Sequence, residues 1–514
     1  MITRRNFLKS AGIGITLLSG YCGAMSSMSS KSKTAPNVLF LAIDDLRPEL
    51  GTYGNSWIKS PNIDNLASQG IRFNRAYCQV PLCGPSRASL LSGIRPSFER
   101  FYDNNDALAG SIPSAVTLPQ AFKENGYTTI TNGKIFHHPS DTANRSWSET
   151  PFDLTNPGHS RMNDPESKQY INPSTGLGPF YEIADVPDNA YIDGEVCEKT
   201  IQDLRRLKES DKPFFLACGF VRPHLPFYAP KKYWDMYERD KIDLAANRFR
   251  PADAPDSLTA SLEVHQYHFR DTEYNSEEFH RTARHGYYAC VSYVDNLVGR
   301  ILATLDELEL RDNTIVVLWG DHGWLLGEHN LWSKHYLLHD AIRTTLIISV
   351  PWLNKNSKTD SIVELIDIYP TLCDLAGIDI PDHVQGESMD NLLENPESEH
   401  KKEAFSRFLT GDTIVTDDYI YTEYKSGDKM LYDLKKDPSE NRNVVSEPDY
   451  NDTADQLSSS LREFIEGTSQ KFSEADINKD GQVNLLDFSE MSSRWQDCSD
   501  PAGIDCINFN PQSS

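Results

Sequence analysis

What most restricts the folding of this chain is a series of apolar, β-branched or aromatic runs, each ending in a polar cluster. They are Asn37–Ile43, Thr128–Thr131, Phe214–Phe220, Ile315–Trp319 and Leu346–Val350. A strand without polar alternation needs both of its faces covered. Between the runs lie helical patterns. In the clearest, Val291, Val294, Val298, Ile301, Leu305 and Leu308 recur three and four residues apart as one apolar stripe. Buried strands alternating with such helices predict an α/β fold, with a large, mostly parallel central sheet flanked by helices. In open sheets of this kind ligands bind beyond the carboxyl ends of the strands. Here the first run leads into Asp44-Asp45, the second into Lys134 and His137, the third into Arg222 and His224, and the fourth into Asp321-His322. One such cluster is compatible with a solvated loop; four that bring acids, lysine and histidine to one edge mark a candidate active site.

Composition narrows the reading further. With 39% hydrophobic and 24% charged residues in 514, the chain is neither disordered nor collagen-like. Fifty Lys+Arg against seventy-five Asp+Glu give a formal charge of −25. So acidic a body repels phosphate backbones, and no nucleic-acid partner is expected. An anionic substrate needs a local cationic pocket or a bound metal. From about Ile378 the texture changes. Asp418–Glu423 and Met430–Leu434 read as strands of a smaller, antiparallel C-terminal α+β subdomain, closed by a helix around Leu457–Ile465. The expected organisation is a leader over residues 1–33, a catalytic domain over 34–377, the subdomain over 378–466, and a linker (Gly467–Lys471) with a short tail over 467–514.

The leader, Thr3-Arg4-Arg5-Asn6-Phe7-Leu8-Lys9 followed by the weakly apolar Ala11–Leu18, resembles a twin-arginine export signal. Its apolar run is far shorter than the ~20 residues that cross a bilayer. The expectation is a periplasmic or secreted protein with no transmembrane segment. Lipoprotein anchoring at Cys22 is disfavoured, because Tyr21 stands where such motifs carry a small residue. Nine cysteines in a chain this long do not form a disulfide scaffold, although Cys498 and Cys506 are close enough in sequence to bridge.

One pentapeptide narrows the function. Cys83-Gly84-Pro85-Ser86-Arg87, followed by Ala88-Ser89-Leu90-Leu91-Ser92-Gly93, resembles the Cys-x-Pro-Ser-Arg signature of type I sulfatases. Ser92 stands where the family usually has threonine. GYTTITNGKIFH (Gly126–His137) resembles the second sulfatase signature, with Asn132 in place of a small apolar residue. LWGDHGWLLGEHNLWSKH (Leu318–His335) and GFVRPHLPF (Gly219–Phe227) are similar to the iduronate-2-sulfatase branch. The likeness extends over roughly residues 36–445, including LYDLKKDPSENRNV (Leu431–Val444).

The resemblance implies an alkaline-phosphatase-like (sulfatase) fold and hydrolysis of sulfate esters, on sulfated saccharides such as 2-O-sulfated uronic acids. It implies that a formylglycine-generating maturation enzyme oxidises Cys83 to formylglycine (3-oxoalanine). One hydroxyl of the hydrated aldehyde then attacks sulfur, and the other later expels sulfate by re-forming the carbonyl. Asp44, Asp45, Asp321 and His322, with the modified Cys83, would hold a divalent cation, and mostly carboxylate oxygens favour calcium. Arg87 would steady the nucleophile, and Lys134 and Lys334 would contact sulfate oxygens. His137 would be the base, and His224, with Lys334, would protonate the leaving oxygen. A helix expected over Ser86–Leu91, with Pro85 near its start, would aim unpaired N–H groups at the developing charge.

Two other functions remain open at this point: a phosphomonoester or phosphonate monoester hydrolase of the same superfamily, and a non-catalytic carbohydrate-binding component. Retention of Cys83, Asp45 and Arg87 argues against the second. In the tail, Asp476, Asn478, Asp480, the backbone carbonyl of Gln482, and Asp487 resemble an EF-hand loop of the dockerin type. Full dockerins carry two such loops and this tail has one. The expectation is therefore a second calcium site in an anchoring or sorting tail rather than a dockerin that binds a cohesin-like partner. His329, His335 and His339 are expected to be structural or to line substrate subsites. Specificity is expected in the loops Asn144–Asn189 and Ala252–His285.

Overall fold

The first strand, β1 (Asn37–Ile43), shows why the apolar runs lack polar alternation. Val38, Phe40 and Ala42 enter one core while Leu39, Leu41 and Ile43 enter another, and all six are fully buried. The computed structural model describes residues 35–152, 161–353 and 355–470. The leader with Cys22, the loop from Asp476 to Asp487 and the Cys498–Cys506 pair lie outside the described residues.

Six further strands join β1 in the central sheet: β2 (Ile71–Tyr77), β3 (Thr128–Gly133), β4 (Phe214–Phe220), β5 (Thr314–Gly320), β6 (Arg343–Ser349) and β7 (Ser357–Glu364). Their order is β7-β2-β6-β5-β1-β4-β3. Every neighbouring pair is parallel except those of β6, which runs against both β5 and β2. The mostly parallel α/β sheet expected from the apolar runs is therefore present. The run expected at Leu346–Val350 is shifted to Arg343–Ser349, and Val350 falls outside the strand.

Helices α1 (Pro61–Ser68), α3 (Ile192–Lys208) and α4 (Glu277–Glu307) supply side chains to the core that holds Leu39, Leu41 and Ile43, and α2 (Cys83–Ser92) to the core that holds Val38, Phe40 and Ala42. The stripe from Val291 to Leu305 lies in the second half of α4, where it joins the same core as Val196, Leu204 and Leu207 of α3. The helix starts earlier than that stripe, at Ser276, whose hydroxyl accepts a hydrogen bond from the Phe279 N–H (3.1 Å).

Beyond the main sheet, β8 (Ala404–Phe408), β9 (Gly411–Val415), β10 (Tyr419–Tyr424) and β11 (Lys429–Asp433) form a four-stranded antiparallel sheet in chain order. Ile414, Tyr421 and Leu431 pack there against Ala454, Leu457 and Leu461 of α5 (Asn451–Gln470). The linker expected at Gly467–Lys471 is corrected by α5, which continues through Gly467 to Gln470. One interior glycine costs a helix only about 1 kcal/mol relative to alanine. Among the described residues no helix is long and apolar enough to cross a membrane.

The register positions the site. Ile43 at the end of β1 pairs with Phe220 of β4 and Gly320 of β5, and Gly133 of β3 pairs with Gly219. The residues after these strands therefore leave the sheet at one level. A Cβ at Gly133 (φ +74°) would come within 2.2 Å of the Gly219 carbonyl oxygen, and one at Gly219 within 1.9 Å of the Lys134 carbonyl oxygen. Glycine at both positions lets β3 and β4 end in close contact, with Lys134 turned into the site.

Candidate active site

The residue that follows β1 opens the site. Asp44 and Asp45 are fully buried, and Asp45 adopts a left-handed backbone (φ +62°). This conformation is costly for most side chains and tolerable for aspartate. The Asp45 N–H donates to Asp321 Oδ1 (3.1 Å), joining the ends of β1 and β5, and its carbonyl accepts from the Tyr287 hydroxyl (2.8 Å).

Cys83 lies in the first turn of α2, not before the helix. The expected start at Ser86 is corrected to Cys83, with Leu82 as the N-terminal flanking residue. The Ser86 N–H already reaches the Leu82 carbonyl (3.0 Å). Pro85 is accepted here because the N–H it lacks has no intrahelical partner in a first turn. The Gly84 N–H is not aimed at the site; it donates to Asn104 Oδ1 (2.9 Å). A Cβ at Gly84 would sit 2.8 Å from that oxygen and 3.5 Å from His137 Cγ, so this turn is packed between Asn104 and His137.

The site residues expected at the strand ends converge on Cys83. Its Sγ is 3.3 Å from His322 Nε2. Ligand atoms of Asp44, Cys83, Asp321 and His322 lie within 4.8 Å of one another, and so do those of Asp44, Asp45, Cys83 and His224. His322 Nε2 also approaches Asp45 (3.4 Å), while its Nδ1 is 2.9 Å from the Gly323 carbonyl, which fixes the ring. Three buried carboxylates and an imidazole so arranged fit a hard divalent cation.

Three buried cations face the three carboxylates. The Arg87 Nε donates to Asp321 Oδ2 (2.9 Å) and its Nη2 to Asp44 Oδ1 (3.3 Å), while Nη1 donates to the Lys134 and Ile135 carbonyls. Lys134 Nζ donates to Asp44 Oδ2 (2.6 Å). Lys334 Nζ lies 3.1 Å from Asp45 Oδ1 and 2.8 Å from Glu263 Oε1, with the Trp324 ring 5.1 Å beneath it. His224 Nδ1 is 2.6 Å from the Leu225 carbonyl and its Nε2 is 3.4 Å from Glu263 Oε1.

These neighbours set the charge states. Burial acts to raise the Asp44 pKa, yet Lys134, His224 and Arg87 carry it well below the usual carboxylate range. Burial pushes Asp45 up to about 6 against the pull of His224 and Lys334. Burial, reinforced by Asp44, raises the Cys83 thiol, which leaves it protonated and a poor nucleophile. Burial and the Lys134 charge lower His137 to about 2, so its imidazole is neutral. His137 Nδ1 is buried without a hydrogen-bond partner among the described residues.

Other expected positions serve the scaffold. Arg222 donates to the His224 and Tyr228 carbonyls (3.0 and 3.2 Å) and so shapes the loop that carries His224. His329 pairs with Asn247, His335 with Ser261 and His339 with the Tyr77 hydroxyl. Glu263, Asn104 and Trp324 were not singled out from sequence. Glu263 does fall within Ala252–His285, one of the loops expected to carry specificity.

The chain matches the Sulfatase family over residues 36–378 and the C-terminal family of N-sulphoglucosamine sulphohydrolase over residues 327–467. It is 35% identical over 419 residues to mouse iduronate 2-sulfatase, covering 71% of this chain and 73% of that one. Among solved structures, a protein in complex with its substrate D-glucosamine-2-N,6-O-disulfate superposes with a TM-score of 0.68 at 22% identity, over 86% of this chain and 99% of that one. The phosphonate monoester hydrolase from Silicibacter pomeroyi superposes with a TM-score of 0.72 at 22% identity, over 86% and 96%. With the family match spanning most of the chain and Cys83, Arg87, Lys134 and the strand-end acids gathered in one buried pocket, the chain belongs to the sulfatase family, enzymes that hydrolyse sulfate esters.

Proposed function

We propose that this sulfatase removes sulfate from sulfated saccharides, 2-O-sulfated uronic acids among them, with Cys83 matured to formylglycine beside a calcium ion. The observation that carries the reading is the position of Cys83, in a buried helix turn where three carboxylates and three cations converge. The likeness to iduronate 2-sulfatase supports the uronic acid, and the fold shared with a protein bound to a disulfated glucosamine supports a saccharide. Maturation would replace the Cys83 thiol by an aldehyde in a two-electron oxidation by a dedicated enzyme, using an external oxidant and releasing the sulfur as sulfide.

Asp44, Asp45, Asp321 and His322 would hold the cation, which would add positive charge to a pocket whose carboxylates otherwise match its lysines and arginine. The hydrated aldehyde would supply one hydroxyl to attack sulfur and a second whose deprotonation frees the sulfate. Lys134 and Lys334 bind and orient the sulfate oxygens as point charges. Arg87 fixes Asp44 and Asp321 relative to the first turn of α2. His224 and Lys334 deliver a proton to the bridging oxygen as its bond to sulfur breaks. His137, held neutral, takes the proton from the second hydroxyl.

The test is an assay of the matured protein on a panel of 2-O-, 4-O- and 6-O-sulfated mono- and disaccharides, with a phenyl phosphonate monoester in parallel. Sulfate release that is fastest from a 2-O-sulfated uronate is the expected result. Turnover of the phosphonate ester alone would overturn the assignment.

A further inference from the structure

We infer that Glu263 is a positioning residue for leaving-group protonation, holding Lys334 and His224 together on one carboxylate oxygen. The inference rests on the reading of those two side chains as proton donors. A single atom, Oε1, lies 2.8 Å from Lys334 Nζ and 3.4 Å from His224 Nε2. The other oxygen, Oε2, accepts from the Ser333 hydroxyl. The carboxylate is thus anchored to the residue before Lys334 and fixes the ammonium next to it.

The loop that brings Glu263 is itself clamped. Its backbone N–H donates to Ser261 Oγ (3.2 Å), and that hydroxyl is 2.7 Å from His335 Nδ1. The Ser261 N–H donates to the Tyr336 hydroxyl (2.7 Å). Residues 261–263 and 333–336 therefore hold each other at four points around Lys334. An ordinary surface ion pair has none of this support. Here the side chains of Lys334 and Glu263 are only 1% and 11% exposed, whereas the adjacent Leu262 is 73% exposed.

The competition for Lys334 explains the need. Its other acidic partner is Asp45, at 3.1 Å, one of the carboxylates assigned to the cation. Without Glu263 the ammonium would settle on Asp45 alone and turn from the bridging oxygen. As the S–O bond breaks, its electron pair remains on that oxygen, an N–H bond of His224 or Lys334 breaks, and a new O–H bond forms. A sugar alkoxide needs that proton for departure, whereas a nitrophenolate leaves without it. Glu263 touches neither sulfur nor sugar oxygen in this scheme; it sets where the donors stand.

The experiment compares wild type with E263Q, E263D and H224Q, each matured at Cys83 and checked for folding by its thermal transition. Each is assayed on a sugar sulfate and on 4-nitrophenyl sulfate. General acid catalysis is worth roughly 10²–10⁴-fold, so E263Q is expected to lower kcat on the sugar sulfate about 10²-fold further than on the nitrophenyl ester, while KM rises on both esters because Lys334 also contacts the sulfate oxygens. E263D, which keeps the charge, should recover part of the loss. The solvent deuterium isotope effect on sugar-sulfate turnover should rise in E263Q, because proton delivery has become slower. Equal losses of kcat on both esters, or an unchanged isotope effect, would overturn the inference. H224Q separates the causes: selective loss in H224Q without selective loss in E263Q sinks only the role of Glu263, whereas no selectivity in H224Q sinks the donor reading beneath it.

Discussion

Arg87 donates to four acceptors from a fully buried position: Asp321 Oδ2, Asp44 Oδ1 and the carbonyls of Lys134 and Ile135. A lysine keeps the charge but offers one point in place of a planar fork. It cannot hold the ends of β1, β3 and β5 at once. Arg87→Lys is therefore expected to cost about 10²-fold in kcat/KM through misplacement of reacting groups. Steady-state kinetics beside a thermal melt would check this, and wild-type activity in a folded variant would contradict it. This residue was legible in the sequence because Cys83-x-Pro-Ser-Arg is contiguous. The same holds for Asp44, Asp45, Lys134, Asp321 and His322, which directly follow apolar strands. Glu263 and Asn104 were not legible. Each reaches the site from a loop without periodicity and meets partners such as Lys334 (from Glu263) or Gly84 (from Asn104) through tertiary contacts alone.

At the scale of elements, continuous apolar runs revealed the central strands and missed β2 and β7. Those two interleave Arg72, Asn74, Arg75, Lys358 and Asp360 with apolar residues, because parts of each remain open to solvent. The first half of α4 was missed for a different reason. His280, Arg284, His285, Tyr287 and Tyr288 are buried there, and several are held by polar partners, among them Leu326 for Arg284, Trp234 for His285 and Asp45 for Tyr287, so no apolar stripe marks them. The second half supplies a packing prediction. Leu305→Ala, at a fully buried position, should cost roughly 2–5 kcal/mol of stability, with turnover of the folded enzyme unchanged. Denaturant unfolding and kinetics on the same sample test both parts.

Glu364, at the end of β7, ties the main sheet to the C-terminal one. It accepts from Arg95 Nη1 (2.7 Å), Lys401 Nζ (2.8 Å) and the Phe405 N–H (3.1 Å) of β8. Burial acts to raise its pKa, but Arg95 and Lys401 carry it far below the usual carboxylate range. A folded-state pKa depressed in this way gives stability that is present above the unfolded value of ~4.3 and is lost as pH falls below it. The melting temperature of wild type should therefore drop between about pH 5 and lower values, and E364Q, less stable at neutral pH, should show a flatter acid limb. Parallel acid limbs would contradict this account.

For the whole molecule the problem is electrostatic. A body of formal charge −25 must admit an anionic ester. The structure answers by burying Arg87, Lys134 and Lys334 among the carboxylates, and a divalent cation would tip that balance further. Chelation is expected to abolish turnover and calcium to restore it. A variant lacking the Cys83 side chain should still gain stability from calcium, about 2.7 kcal/mol at a hundredfold excess over Kd. A melt indifferent to both chelator and calcium would remove the metal from the account. Burial has a further consequence for maturation, because Cys83 is only 1% exposed in the folded chain. We propose that oxidation precedes folding, and therefore precedes export if the leader routes folded protein. Precursor with an intact leader should already carry the aldehyde, and uniformly unmodified precursor would reverse the order.

The central claim is that side chain 83 acts as an aldehyde hydrate at the meeting point of the strand-end acids and cations. Mass spectrometry of the peptide Ala76–Arg87 from protein produced in its native host tests it most directly, with Cys78 in the same peptide as an internal control. The account predicts a thiol at Cys78 and the mass loss of thiol-to-aldehyde conversion at Cys83, with specific activity proportional to the converted fraction. Full sulfatase activity in protein whose Cys83 remains a thiol would contradict it.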